Sequence, residues 1–327
     1  RPMRSHQPPR RKRSGNSGPR SPSADNGRPL PKTQAVFFPF DLFGSAGSGA
    51  GVELLADAFR EMLADNRRER VPTRAASYQK RVRPREFTFE NLAAYDAWRT
   101  RGRQAIRRVF QNGDFLLWVT GNHLGVLPLY DELSRMAARD GGDTVVIQLD
   151  AHLDIYNLTD CTAELSHGNF LLHCDGPLPA IINFGARELL LRPDYVRQFY
   201  RSTFPAAELA VDPEPALRAL RQASRSAKRV FIDLDCDVFD PAFFPAVTQA
   251  TPFGLTPHLV LRILDAAWSE RVVGVAVSEF CSGRDRNDQS LALLIWLLEY
   301  LLLKKYEAEP GAALVPRRSF VDKRSHF

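Results

Sequence analysis

The stretch VVIQLDAHLDIY, residues 145–156, limits what this chain can fold into more than any other. An apolar run from Val145 to Leu149, rich in β-branched residues, predicts a strand buried on both faces. Such strands belong to parallel sheets covered by helices. Side chains alternate along a strand, so Asp150, His152 and Asp154 point to one side if the extended geometry persists. They would then stand at the strand's C-terminal end, where open α/β sheets bind their ligands. Carboxylates and an imidazole without a thiolate suit a hard or borderline divalent ion such as Mn, Fe or Zn. A polar loop leaving a strand is the simpler reading of the same residues.

The remainder of the chain repeats the pattern. Apolar strands are predicted over 115–123, 180–188, 229–241 and 272–280, with a first strand from residue 34 running into the glycine-rich loop 44–51. Helices are predicted over 52–66, 88–110, 127–139, 214–227 and 290–306, and after Thr256 as N-cap with Pro257 at the first helical position. This alternation predicts an α/β fold with a central parallel sheet and right-handed crossovers, in one domain without internal repeats. The glycine-rich loop has neither GxGxxG nor GxxxxGK[ST], so a phosphate loop is not predicted. Four of the strands end in polar residues: His123, the Asp150/His152/Asp154 set, the Asp233/Asp235/Asp237 set, and Glu279. A parallel sheet gathers all of these at one rim. Carboxylates gathered so closely raise one another's pKa unless cations neutralise them, and two ions balance the charge better than one. Two divalent ions sharing a water bring its deprotonation toward neutral pH, the chemistry of metal-assisted hydrolysis.

The composition is that of a globular protein: 44% hydrophobic and 25% charged residues in 327. The net charge of +6 is carried by one end, since residues 1–32 hold nine Arg/Lys against one Asp and the remainder sums to −2. Residues 1–33 therefore read as a disordered basic tail, 34–310 as the folded domain and 311–327 as a C-terminal tail. No nucleic-acid partner is predicted from that tail. The longest apolar stretch, 291–303, is 13 residues with Glu299 and Tyr300 inside it, too short for a bilayer span. Without a signal-like segment or CxxC spacing among Cys161, Cys174, Cys236 and Cys281, a reduced, cytoplasmic protein is expected.

At the motif level the chain resembles the arginase/agmatinase (ureohydrolase) family. DAHLD matches that family's DAHxD, DLDCDVFDP resembles [ST]xDxDxxDP, and GNH stands where the family has GGDH. The resemblance implies a three-layer α/β/α sandwich over roughly residues 35–305 and a site holding two Mn ions. His123, Asp150, Asp154 and Asp235 would hold one; Asp150, His152, Asp235 and Asp237 the other. His167, in SHGNF, corresponds to a proton-shuttling histidine, and Glu279, in VSEF, to the glutamate that pairs with a substrate guanidinium. Asp154 would accept a hydrogen bond from the attacking hydroxide. The family is commonly oligomeric, which implies a possible homo-oligomer.

Two positions and two segments depart from the pattern. Asn122 replaces an Asp before the first histidine, which puts charge around that ligand in question. Asp233 stands where the family carries Ser or Thr and is read as a neighbour of the ligands. The segments that hold the amino-acid end of free arginine are altered to IYNLTDCTAELSHG and GARELLLRP, with Asn157 one position out of step as the remaining substrate contact. The expected reaction is thus hydrolysis of a guanidino group to an amine and urea, with peptidyl arginine favoured over free arginine and agmatine or a guanidino acid as alternatives. A Zn deacetylase of the same fold and a non-catalytic binding protein are the rival readings. Arg187 is read as a loop brace, Asp240 with Pro241 as a strand terminator, and His173 and His258 as structural or surface residues.

Overall fold

The computed structural model describes residues 31–140, 143–159 and 163–307. The basic tail up to residue 30, Cys161 and the expected C-terminal tail lie outside the described residues. In chain order the elements are β1 (Thr33–Phe38), α1 (Ser48–Arg68), β2 (Val82–Glu86), α2 (Leu92–Asp96), α3 (Trp98–Gln111), β3 (Phe115–Thr120), α4 (Leu127–Asp140) and β4 (Thr144–Leu149). Then follow β5 (Ala180–Phe184), α5 (Pro193–Val196), β6 (Tyr200–Phe204), α6 (Ala206–Val211), α7 (Glu214–Ser226), β7 (Arg229–Asp235), α8 (Pro257–Ala267), β8 (Val272–Ser278) and α9 (Gln289–Glu307).

The strands form one sheet in the order β2-β1-β3-β8-β7-β4-β5-β6, with every pair parallel. Period-two alternation gives the sheet two apolar faces. Ala35, Phe37, Leu117, Val145, Ile147, Ile232 and Val275 face a layer built from α1, α7, α8 and α9. Val36, Phe38, Leu116, Trp118, Val146, Phe231 and Ala276 face α3 and α4. The result is the predicted α/β/α sandwich. Thr256 accepts from the Leu259 N–H at 3.3 Å and caps α8 over Pro257 as expected.

Several boundaries differ from the sequence reading. The edge strands β2, VRPRE, and β6, YRSTF, were not predicted; β2 is mostly exposed and β6 mostly half-buried, so neither shows the long apolar run of a central strand. The expected helix 88–110 is broken at Ala97 into α2 and α3. Strand β1 starts at Thr33, one residue inside the stretch assigned to the tail, and the Thr33 and Tyr306 hydroxyls lie 2.7 Å apart. Half of the glycine-rich loop is helix: α1 starts at Ser48, after Gly47 as N-cap at φ 93°.

Candidate metal centre

The polar residues converge at the C-terminal ends of β3, β8, β7 and β4, the four central strands of the sheet. Strand alternation is not what brings them together, contrary to the expectation for residues 150–154. Strand β4 stops at Leu149, and Asp150, His152 and Asp154 lie on the loop that follows, with Asp154 at φ 51°. Likewise β3 ends at Thr120 and β7 at Asp235, so His123 and Asp237 sit in single 3-10 turns. Glu279, just past β8, has φ 63°. Left-handed backbone costs energy for a residue with a Cβ and persists where its surroundings over-determine it. Here the Glu279 N–H donates to Gly121 O at 2.7 Å, while Glu279 Oε1 accepts from the His123 N–H at 2.9 Å.

His123 Nδ1 lies 2.7 Å from Asp154 Oδ2, 3.2 Å from Asp150 Oδ2 and 3.3 Å from Asp235 Oδ2. His152 Nδ1 lies 2.8 Å from Asp237 Oδ2 and 3.9 Å from Asp150 Oδ1. Backbone donors fix the carboxylates: His152 N–H to Asp150 Oδ1 at 2.7 Å, Ala151 N–H to Asp237 Oδ1 at 3.1 Å and Asp237 N–H to Asp235 Oδ1 at 2.9 Å. Two groups thereby present ligand atoms within 4.8 Å of one another, His123/Asp150/Asp235 and Asp150/His152/Asp237, with Asp150 in both.

The donor set fits a pair of divalent cations. Despite these close approaches, the buried Asp150 Oδ2 and His123 Nδ1 make no aligned hydrogen bond, a cost that a bound cation removes. Burial raises the Asp150 carboxyl, the Asp154 charge adds to that, and His123 partly offsets it. Asp235 is pushed well up by burial and by Asp237 and Asp150. Burial alone would lower His152, but the Asp237 carboxylate outweighs it and lifts the imidazole to about 10. These are the shifts of an anion-rich cluster in need of positive charge.

A cavity of about 350 Å³ opens onto the cluster, with His123, His152, Asp154, Asp235, Asp237, His167 and Glu279 in its wall. His167 Nδ1 is 3.2 Å from Glu279 Oε1, and the His167 N–H donates to Phe43 O at 3.1 Å. Burial alone would lower the His167 pKa; the Glu279 hydrogen bond and charge outweigh it and raise it. Asn157 is exposed and does not line the cavity, whereas its neighbour Tyr156 does. Tyr156 is tied by its hydroxyl to Glu188 at 2.7 Å. Sequence reasoning missed Phe43, Tyr156 and Gln249 in the wall, because none carries a motif.

The other residues singled out have structural surroundings. The Arg187 guanidinium donates to the carbonyls of Gly185, Val238, Asp237 and Thr251, so it braces the loops. Asp240 accepts from the N–H groups of Ala242 and Gly254 at 3.0 Å each. His173 supplies a carbonyl to Arg99, and His258 is exposed. The buried Asn122 donates Nδ2 to Leu42 O at 2.9 Å, tethering the loop that carries Phe43. No helix among the described residues is long and apolar enough to cross a membrane.

Known proteins bear on this arrangement. Mitochondrial arginase 1 of Arabidopsis thaliana is 28% identical over 167 residues, 50% of this chain and 48% of that protein. The agmatinase of Serratia proteamaculans is 26% identical over 194 residues, 59% of this chain and 60% of that protein. The chain thus spans about half the length of the curated relatives it matches. The crystal structure of arginase from Bacillus subtilis superposes with a TM-score of 0.67 at 20% identity, covering 83% of this chain and 98% of that one, a likeness of fold. The model of the arginase family matches residues 35–303, nearly all of the folded region and every residue of the convergent cluster, and the chain belongs to that family.

Proposed function

We propose that this chain is a ureohydrolase that takes two Mn ions and cleaves a guanidino group to an amine and urea. One observation carries the reading: two candidate ligand groups that share the buried Asp150, beside a cavity whose wall holds their His123, His152, Asp235 and Asp237 together with His167 and Glu279. Two ligand groups, rather than one, favour this over a single-Zn deacetylase. In this reading His123, Asp150, Asp154 and Asp235 hold one ion, and Asp150, His152, Asp235 and Asp237 hold the other. When bound, the ions supply an activated water for attack on the amidino carbon.

The chain's own residues do the rest. Asp154 accepts a hydrogen bond from the attacking water and directs it. The buried Glu279 carboxylate receives the guanidinium cation, and an ion pair at a buried carboxylate is worth more than one in bulk solvent. His167, whose pKa is raised by its hydrogen bond to Glu279 at Nδ1, gives a proton to the departing amine.

The favoured substrate is arginine within a peptide, giving ornithine. Among the described residues, the cavity wall holds no basic side chain other than its histidines, so a free α-carboxylate would meet no Lys or Arg there. Phe43 and Tyr156 instead offer apolar surface to the distal part of a substrate. Agmatine, which lacks a carboxylate, fits the same reasoning; a guanidino acid fits it less well. Urea release is measured with Mn on free arginine, agmatine, a guanidino acid and an arginine-containing peptide. The peptide is expected to give the highest kcat/KM; higher values for agmatine would reassign the substrate, and no urea from any of the four would defeat the proposal.

A further inference from the structure

Asp233 is a carboxylate with no place at the rim. It lies on β7 two residues before Asp235, on the same face of the strand, one step deeper in the sheet. Its neighbours on that face belong to the apolar layer between the sheet and α4, and it is fully buried. A charge in that position is costly unless it is bonded. Two groups bond it: the Tyr130 hydroxyl of α4 donates to Asp233 Oδ2 at 2.7 Å, and His123 Nε2 lies 3.0 Å from the same oxygen.

The opposite nitrogen of that imidazole, Nδ1, faces the cluster, 2.7 to 3.3 Å from Asp154, Asp150 and Asp235. The ring is gripped further by Phe170, edge-on at 5.0 Å between centroids, and Phe170 packs on Tyr130 at 5.4 Å. An imidazole whose Nε2–H is taken by a carboxylate keeps its lone pair on Nδ1, the atom that must bind a metal. Position 122, by contrast, spends its side chain on the loop at Leu42.

We propose that Asp233, held by Tyr130, is a positioning residue of the metal centre: it accepts the His123 Nε2–H and presents Nδ1 to the ion shared with Asp150 and Asp235. The inference rests on the two-metal reading above. It also accounts for an Asp where the family pattern has Ser or Thr, and for the tolerance of Asn at position 122, since the carboxylate beside His123 comes from β7.

Mn²⁺ is titrated into the metal-free full chain, with free ion followed by electron paramagnetic resonance, for wild type, D233N and Y130F; unfolding temperatures are taken in parallel. Wild type is expected to take up two ions. D233N should lose about 10- to 100-fold in affinity at one site, while the site built on His152 and Asp237 keeps its affinity. Y130F should show the same one-sided loss, smaller in size. That asymmetry separates positioning from a general structural role, because loosening of the fold weakens both sites together. Unchanged affinity, or an equal loss at both sites, overturns the proposal. If D233N does not fold, Y130F decides by the same asymmetry. A wild-type chain that takes up no Mn defeats the two-metal reading itself, and this inference with it.

Discussion

His167 and Glu279 share one hydrogen bond, 3.2 Å long, and their roles separate on substitution. The hydrogen bonds of His167 run to Glu279 and Phe43 rather than to the two candidate ligand groups, so H167A is expected to keep its full complement of Mn. Urea release should nevertheless fall about 100-fold or more in kcat, the usual contribution of a positioned proton donor; parallel metal analysis and steady-state kinetics check the pair of outcomes. At this scale the convergence of the polar residues was legible. DAHxD and DxDxxDP mark the acids and the histidine that the structure gathers at the rim, because in a parallel sheet the ends of the apolar strands share one edge. Illegible were the partners that hold those side chains in place. Tyr130 reads as an ordinary helix aromatic, and only the packing of α4 on β7 shows that its hydroxyl meets Asp233. Asn157 was chosen by counting along the chain, and the loop instead turns Tyr156 into the cavity.

Elements hold these residues by close approach. A Cβ on Gly51, in the first turn of α1, would fall 1.9 Å from the carbonyl oxygen of Phe280, the residue after Glu279. Glycines in GSAGSGAG argue for a loop by propensity, yet they serve a helix that must touch the backbone beyond β8. That is why the start of α1 was not readable. G51A is expected to destabilise the fold by about 1–3 kcal/mol and to lower activity by shifting Glu279, as judged by urea denaturation and urea release. On the other face, Glu132 of α4 is buried and bonded to Arg107 and Arg135. Burial alone would raise its carboxyl, but the two guanidiniums outweigh it and hold it below the ordinary value. A lowered folded-state pKa contributes stability that is complete above the unfolded value, about 4.3, and is lost as pH falls through the folded one. E132Q should therefore cost about 1 kcal/mol at pH 7, allowing for solvent screening of the partly exposed arginines. The gap between variant and wild type should close below pH 4 in denaturation curves.

The molecule as a whole sets carboxylate repulsion at its rim against cation binding. Stripping the metal with EDTA should lower Tm, and returning Mn should restore it, with a stabilisation of about 2.7 kcal/mol at a hundredfold excess over Kd. Because burial and mutual repulsion raise Asp150 and Asp235, protons compete with the ions, and the Tm gain should shrink as pH falls. Calorimetry with and without Mn at several pH values checks both trends. The overall architecture was readable because central parallel strands must be apolar on both faces, whereas edge strands carry no such demand. Strand order has a further bearing on how the chain is made. His123 and Asp150 follow β3 and β4, which are close in sequence, yet β8 and β7 lie between those strands in the sheet. A nascent chain that has synthesised every ligand through Asp237 still lacks the strand that joins the two halves of the cluster. The four strand ends are therefore brought together only once Val272–Ser278 has been synthesised and paired between β3 and β7.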